Sequence, residues 1–310
     1  MGVSRKSCRI AITGSTGMVG TAVVEYFRQQ GHSITRILRQ DTQLKTDDKV
    51  VRWDILSETL DHSGLEGHDV IIHLAGANIA GQKWSPEYKR LLYSSRVDGT
   101  KLLVKAINRL QRKPKVVLSA SAIGYYGSHI LNRDVDERDC LGNDYLAQVC
   151  NHWEEAAVFE ATTAIRVVYM RIGVVLGKTG GALAKMIPVF KWGLGGKIAS
   201  GKQVMSWIAL PEIPFIMEHL ILHESMEGAV NLVAPHPVTN EEFTKTLGKV
   251  LKRPVVLPVP GFGIRWMLGE MGETLLLHGA KVLPKRLLES GYNFRYPDLN
   301  MALTTVLGRK

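Results

Sequence analysis

Three glycines stand at equal spacing near the amino end, Gly14, Gly17 and Gly20 in ITGSTGMVG. Glycine tolerates positive φ and lets backbone N–H groups come close to a phosphate. Before them runs a short apolar strand, Ile10, Ala11 and Ile12; after them Val19, Val23, Val24 and Phe27 recur at helical spacing. Strand, glycine loop and helix in that order make a cradle for a dinucleotide's pyrophosphate at the positive end of the helix. The next strand, SITRIL, ends at Leu38 and Arg39, with Asp41 just beyond. An acidic residue at that point would hold a ribose 2′-hydroxyl and favour NAD, whereas an arginine would meet a 2′-phosphate. Arg39 stands at the strand end, so NADP(H) is the expected cofactor, with Arg36 as a second cation.

Hydride chemistry on a carbonyl also needs a proton source. Ser121, in SASAIGYYG, could hydrogen-bond a carbonyl oxygen, or could simply satisfy backbone at a strand end. Tyr125 and Tyr126 follow it and offer phenols, as does Tyr145 in NDYLAQVCNHWEE. His129 and His152 are lone histidines, more often surface or satisfied groups than shuttles. No His, Cys, Asp or Glu set has metal-ligand spacing, and no metal is expected. Further along, GLGGKIASGKQVMSW is a candidate substrate wall: Gly195 and Gly196 permit close approach, and Lys197, Lys202 and Gln203 could meet a polar ligand. An ordinary surface loop is the competing reading.

The elements that must position these groups alternate. Apolar strands at DVIIHLAG, PKVVLSAS and IRVVYMRIG are separated by helical patterns, notably SPEYKRLLYSSRVDGTKLLVKAINRL. Such alternation implies an α/β fold, a doubly wound parallel sheet of Rossmann type with helices on both faces. Beyond residue 177 the texture becomes glycine-rich. Residues 1–177 are therefore read as the dinucleotide-binding domain, and 178–310 as a smaller substrate lobe interleaved with the sheet. In that lobe Thr239 stands before Glu242 at capping-box spacing and should open a helix, and RPVVLPVP reads as an edge strand.

The 310 residues carry a formal net charge of +10, which raises nucleic acid as a partner. The densest basic run, KAINRLQRKPK, places Ala106, Ile107 and Leu110 on one helical face and its charges on the other. That is a solvated surface, and no recognition motif accompanies it; nucleic-acid binding is not expected. No apolar run approaches the roughly 18 residues of a membrane helix. The beginning shows no export signal, and three scattered cysteines suit a reducing cytoplasm. A homodimer is left open.

Taken together, ITGSTGMVG, IIHLAGANIAGQKWSPEYKRLLYSSRVDGT, SASAIGYYG, RIGVVLGKTGGALAKMIPVFKWGLGGKIASGKQVMSWI and KVLPKRLLESGYNFRYPDL resemble the NAD(P)-dependent epimerase/dehydratase-like subfamily of the extended, atypical short-chain dehydrogenase/reductase superfamily. The resemblance spans almost the whole chain. It implies that Thr16, Gly17, Met18 and Val19 line the pyrophosphate and that Leu38 and Arg39 lie at the adenosine phosphate. By the same resemblance Leu74, Ala75 and Gly76 pass along the cofactor, Arg96 lies near it, and Ser119 with Arg171, Gly173, Val174 and Val175 approaches the nicotinamide half. Ser121 matches the catalytic serine, with Tyr126 as a second catalytic candidate. Leu74 and Val175 have a core reading beside this one, and Arg96 an exposed-helix reading.

Two departures stand out. The superfamily's Tyr-x-x-x-Lys should fall on the helix leading to WEE, where Leu146 and Cys150 occupy the two places. Tyr145 is one residue out, about 100° around a helix. No lysine occurs between Lys115 and Lys178 to lower a phenol's pKa or hold a ribose. Where relatives show a polar pair, this chain has Ala209 and Pro211 in WIALPEIP. The expected function is an NADP(H)-binding epimerase or oxidoreductase acting on a small carbonyl compound or nucleotide sugar. The alternative is a non-catalytic NADP(H)-binding sensor or partner-binding protein, a reading favoured by resemblance to proteins linked with bacterial or plastid division.

Overall fold

The computed structural model describes residues 7–128, 133–160 and 163–309. Its centre is an eight-stranded sheet. The chain enters through β1 (Arg9–Thr13), α1 (Met18–Gln29), β2 (Ser33–Arg39), β3 (Lys49–Asp54), β4 (Thr59–Leu60) and β5 (Val70–His73). It continues through α2 (Pro86–Asn108), β6 (Val116–Ala122), the short β7 (Asp134–Val135), α3 (Tyr145–Ala156), β8 (Arg166–Ile172) and β9 (Val174–Leu176). Then come α4 (Gly181–Lys191), β10 (Val204–Met205), β11 (Trp207–Ala209), α5 (Glu212–Leu222), β12 (Gly228–Leu232), β13 (Val238–Thr239) and α6 (Asn240–Leu251). Last are α7 (Gly261–Gly272), β14 (Lys281–Val282), α8 (Lys285–Glu289) and α9 (Leu299–Leu307).

The large sheet has the order β12-β8-β6-β5-β1-β2-β3-β4, parallel except for β4. From β1 the chain winds one way to β2 and β3, then returns to β5 on the other side and winds outward. The winding therefore reverses between β1 and β5, and the crevice outside their carboxyl ends is where such a sheet takes a ligand. Ile10, Ile12, Ile72 and Leu118 pack with α1 and α5 on one face; Ile71 and Val117 pack with Leu102, Leu103 and Ile107 of α2 on the other. Burial on both faces explains why these strands read as continuous apolar runs.

The interleaving is physical. Past residue 177, β12 pairs with β8 as the sheet's edge, and Ile213, Ile216, Met217 and Leu220 of α5 are fully buried beneath it. A second core, with Leu183, Phe190, Phe243, Leu247 and Leu303, holds α4, α6 and α9 together. The capping box at α6 forms as expected, Thr239 and Glu242 exchanging side-chain bonds. RPVVLPVP is not a strand: only Val259 makes a bridge, to Ile198. Pro254, Pro258 and Pro260 have no N–H to give a ladder. Among the described residues no helix is long and apolar enough to cross a membrane.

Candidate functional site

The glycine loop is shaped by contacts that exclude side chains. Gly14 has φ +64°, and a Cβ there would lie 2.6 Å from the Leu74 carbonyl. A Cβ on Gly20 would lie 2.2 Å from the Gly14 oxygen, so α1 packs directly on the turn that precedes it. Gly17 donates its N–H to Gly14 at 3.0 Å and is the cap of α1, with no side chain blocking the helix end. Unsatisfied N–H groups and the helix dipole therefore face the crevice, as a phosphate requires. Ser15 is fully buried and its hydroxyl has no partner. Met18 reaches across the crevice to Gly177, Gly180 and Gly181, whose missing side chains leave it room.

On one side of this loop lies Arg39, the last residue of β2. Its side chain is 68% exposed and stands 3.4 Å from Asp41, which is 72% exposed. Arg36 does not join it, contrary to expectation. Its guanidinium bonds Asp48 at 2.5 Å and donates to the Ser15 carbonyl at 3.1 Å. Burial pushes Asp48 towards its neutral form, but hydrogen bonds from Arg28 and Arg36 outweigh that and hold its pKa low. Arg36 thus braces the glycine loop from below instead of meeting a ligand.

On the other side, Leu74, Ala75 and Gly76 leave the end of β5. The N–H groups of Leu74 and Ala75 donate to the Thr13 hydroxyl at 3.0 and 3.2 Å, tying this turn to the end of β1. Thr13 in turn meets His73 Nδ1 at 2.7 Å, and His73 Nε2 meets Thr100 at 2.8 Å. Sequence reasoning missed this chain; a histidine closing the apolar run VIIH was its one visible signal.

At the end of β6, Ser119 is buried with an unpartnered hydroxyl. Ser121 donates to Glu154 Oε1 of α3 at 2.7 Å, and Arg171 of β8 grips both oxygens of that carboxylate at 2.8 Å. Burial works against the Arg171 charge, yet Glu154 outweighs it and raises its pKa. Arg171 also donates to the Tyr126 hydroxyl, which itself donates to Asn231 at 2.8 Å. Tyr126 is 1% exposed, and burial holds its phenol protonated, up to about 12. The two hydroxyls read as catalytic candidates are thus members of one buried network, each proton already donated. Tyr125 differs: it is half-buried, with the Arg171 guanidinium 3.4 Å from its ring centre. Arg171 therefore stacks between groups of the protein, while Gly173, Val174 and Val175 run on beside β11.

Along α3, Leu146 and Cys150 both face Gly124, the residue after the turn from β6. Burial pushes the Cys150 thiol up to about 12. Tyr145 turns elsewhere: its hydroxyl donates to the Lys89 carbonyl at 2.9 Å and its ring packs against Trp84. His152 packs against Tyr93, and His129 lies outside the described residues. Arg96 is drawn under Gly76. Among the described residues no group of three or more His, Cys, Asp or Glu gathers as metal ligands.

The glycine-rich segment turns inward on its own lobe. A side chain on Gly196 would collide with the Leu257 carbonyl, and one on Gly195 with the Phe190 ring. Lys197 pairs with Glu241, and the Gln203 amide donates to Ile198 and Leu276 carbonyls. Ala209 is buried on β11 and Pro211 caps α5, so neither offers a polar group.

A family profile described as the NAD dependent epimerase/dehydratase family matches residues 10–225, and a domain of unknown function, DUF1731, matches residues 259–306. An epimerase family protein of Mycobacterium leprae is 36% identical over 301 residues, covering 97% of this chain and 96% of that one. The crystal structure of human epimerase family protein SDR39U1 with NADPH superposes with a TM-score of 0.88 at 32% identity, over 97% of this chain and all of that one. That of a nucleoside-diphosphate sugar epimerase from Corynebacterium glutamicum gives 0.79 at 29% identity, over 98% of this chain and 59% of that one. With a glycine-cradled crevice at the reversal of a doubly wound sheet and relatives matched end to end, the chain belongs to the NAD-dependent epimerase/dehydratase family.

Proposed function

We propose that this chain binds NADP(H) along the carboxyl edge of the sheet and acts as an epimerase or oxidoreductase on a small carbonyl compound or nucleotide sugar. The observation that carries the cofactor choice is Arg39, a largely exposed cation at the end of β2 beside a glycine cradle whose helix end is open. Gly14, Gly17 and Gly20 would admit the pyrophosphate, and the unpartnered Ser15 hydroxyl fits a phosphate or ribose oxygen. Bound there, the cofactor supplies hydride transfer. Leu146 and Cys150 stand where a tyrosine and a lysine would serve proton transfer, and the half-buried Tyr125 on Arg171 is the phenol left nearest the edge. We place the protein in a reducing cytoplasm: among the described residues no disulfide forms.

NADPH should bind more tightly than NADH. Arg39→Ala removes a charge-assisted phosphate contact of about 1.5–3 kcal/mol, which is roughly tenfold or more in affinity, and should bring the two cofactors near parity. Calorimetry on both proteins measures this; equal affinities in the native chain would end the NADP(H) reading.

A second reading, a dinucleotide-binding module without turnover, is favoured by the committed protons of Ser121 and Tyr126.

A further inference from the structure

Arg96 lies in the middle of α2, yet its guanidinium reaches the edge of the sheet. One amino group donates to the Leu92 carbonyl and the other to the Ala77 carbonyl, each at 3.0 Å. The Trp153 ring centre lies 5.1 Å from its carbon, and a Cβ on Gly76 would lie 3.3 Å from it. Its electrostatic neighbours are Cys150, Tyr145 and Tyr88, with no Asp or Glu among them. A guanidinium has five N–H donors, and two go to these carbonyls. Withdrawing a cation from water with no anion beside it is costly unless something completes its bonding. Burial accordingly pulls the Arg96 pKa below its ordinary value.

The topology says what that partner is. The glycine loop follows β1, and Arg39 closes β2 on one side of it. A dinucleotide with its pyrophosphate at the loop and its adenosine phosphate at Arg39 must send its other half towards β5 and β6, each strand about 4.8 Å further on. Arg96 sits there, under the turn after β5 and against Cys150. We propose that Arg96 holds the nicotinamide ribose half of the cofactor, supplying from α2 the positive charge that a lysine at position 150 would supply from α3. This rests on the NADP(H) reading above. The two arrangements exclude one another: a lysine at 150 would set a second cation against the guanidinium in a poorly hydrated place. A small neutral thiol is compatible, and burial keeps Cys150 protonated.

The experiment compares dissociation constants for NADPH and for adenosine 2′,5′-bisphosphate, which has the 2′-phosphate but no nicotinamide ribose. Arg96→Met should weaken NADPH by roughly tenfold or more and leave the bisphosphate within about twofold; Arg96→Lys should fall between. Equal weakening of both ligands would mean that Arg96 only props α2 against the turn, and no weakening of NADPH would likewise overturn the proposal. A native chain that binds neither ligand sinks the cofactor reading itself, a different result from a native chain that binds both while Arg96→Met is silent. Melting temperatures show whether Arg96→Met is folded; if it is not, Arg96→Lys carries the same comparison. Moving the cation gives a second test. Arg96→Gln with Cys150→Lys should regain part of the NADPH affinity lost in Arg96→Gln alone, and a double variant no better than the single one counts against the assignment.

Discussion

Ser121 has one proton, and Glu154 takes it. A serine that is to polarise a carbonyl must donate to it, so in this arrangement Ser121 would have to release Glu154 first. The pair Glu154–Arg171 survives that release, because Arg171 alone bonds both carboxylate oxygens. Ser121→Ala should therefore cost about 1–3 kcal/mol of stability for the lost donor to a buried carboxylate. If Ser121 works on substrate, it should also lower turnover by about 10²–10⁴-fold. Tyr145→Phe removes one exchangeable bond to the Lys89 carbonyl and should leave cofactor binding and turnover unchanged. NADPH oxidation with a panel of carbonyl compounds and nucleotide sugars, beside denaturant melts, reads both variants. A large loss of turnover in Tyr145→Phe would put the acid at position 145. A stability loss in Ser121→Ala with no turnover in any protein would favour the binding module. Ser121, Tyr126 and Arg171 were legible from their motifs, but their joint network was not. Its hub, Glu154, lies 33 residues from Ser121 and 17 from Arg171, and nothing local in a sequence reports such a meeting.

Among the elements, β1 and β5 matter most, because the crevice opens between them. They are joined by a run of hydrogen bonds whose polarity can be worked out. Thr100 donates to the Arg96 carbonyl at 2.6 Å, so His73 Nε2 must carry the proton that meets the Thr100 oxygen. Nδ1 is then bare and accepts from Thr13, whose oxygen receives the Leu74 and Ala75 N–H groups. The whole chain suits a neutral imidazole and has no place for a second ring proton. Burial accordingly lowers the His73 pKa from 6.5 to about 4. With the folded pKa below the unfolded one, the unfolded chain takes up the proton first. Stability from this group is intact above pH 6.5, declines as pH falls below it, and the loss is complete near pH 4, amounting to about 3 kcal/mol. Urea unfolding across that range should show His73→Gln less steeply dependent on pH than the native chain, and identical slopes would refute the assignment. The strands and α1 were legible because both run on hydrophobic periodicity. The residue that fixes their spacing was not, since a buried histidine declares its partners only in three dimensions. The proline-rich run after α6 was misjudged for a related reason: Val255, Val256 and Leu257 have strand-like side chains, while Pro254, Pro258 and Pro260 withhold the backbone donors a strand needs.

At the scale of the whole molecule, the change of texture near residue 177 marks where glycine-rich sequence begins, and the packing does not separate there. β8 would lose its outer neighbour β12 if the chain stopped at that point, leaving five registered positions without a partner strand. The face under α5 would be stripped of Ile213, Ile216, Met217 and Leu220, all fully buried, and of Leu287 and Tyr292 from still later in the chain. Burying one such aliphatic side chain is worth about 1.5–3 kcal/mol, so the four from α5 alone represent roughly 6–12 kcal/mol. That is as large as the about 5–15 kcal/mol that holds an ordinary domain folded. The sequence showed the parallel sheet because each strand carries its own apolar run. It could not show which later segment would complete the edge, since pairing of β12 with β8 depends on a return of the chain from across the second core. We therefore expect residues 1–177, made alone, to give no cooperative thermal transition by circular dichroism and to aggregate, while the full chain melts in a single step. A sharp melt of the isolated fragment, with NADPH raising its midpoint, would show instead that the glycine-loop half is a domain in its own right and that the later lobe only packs upon it.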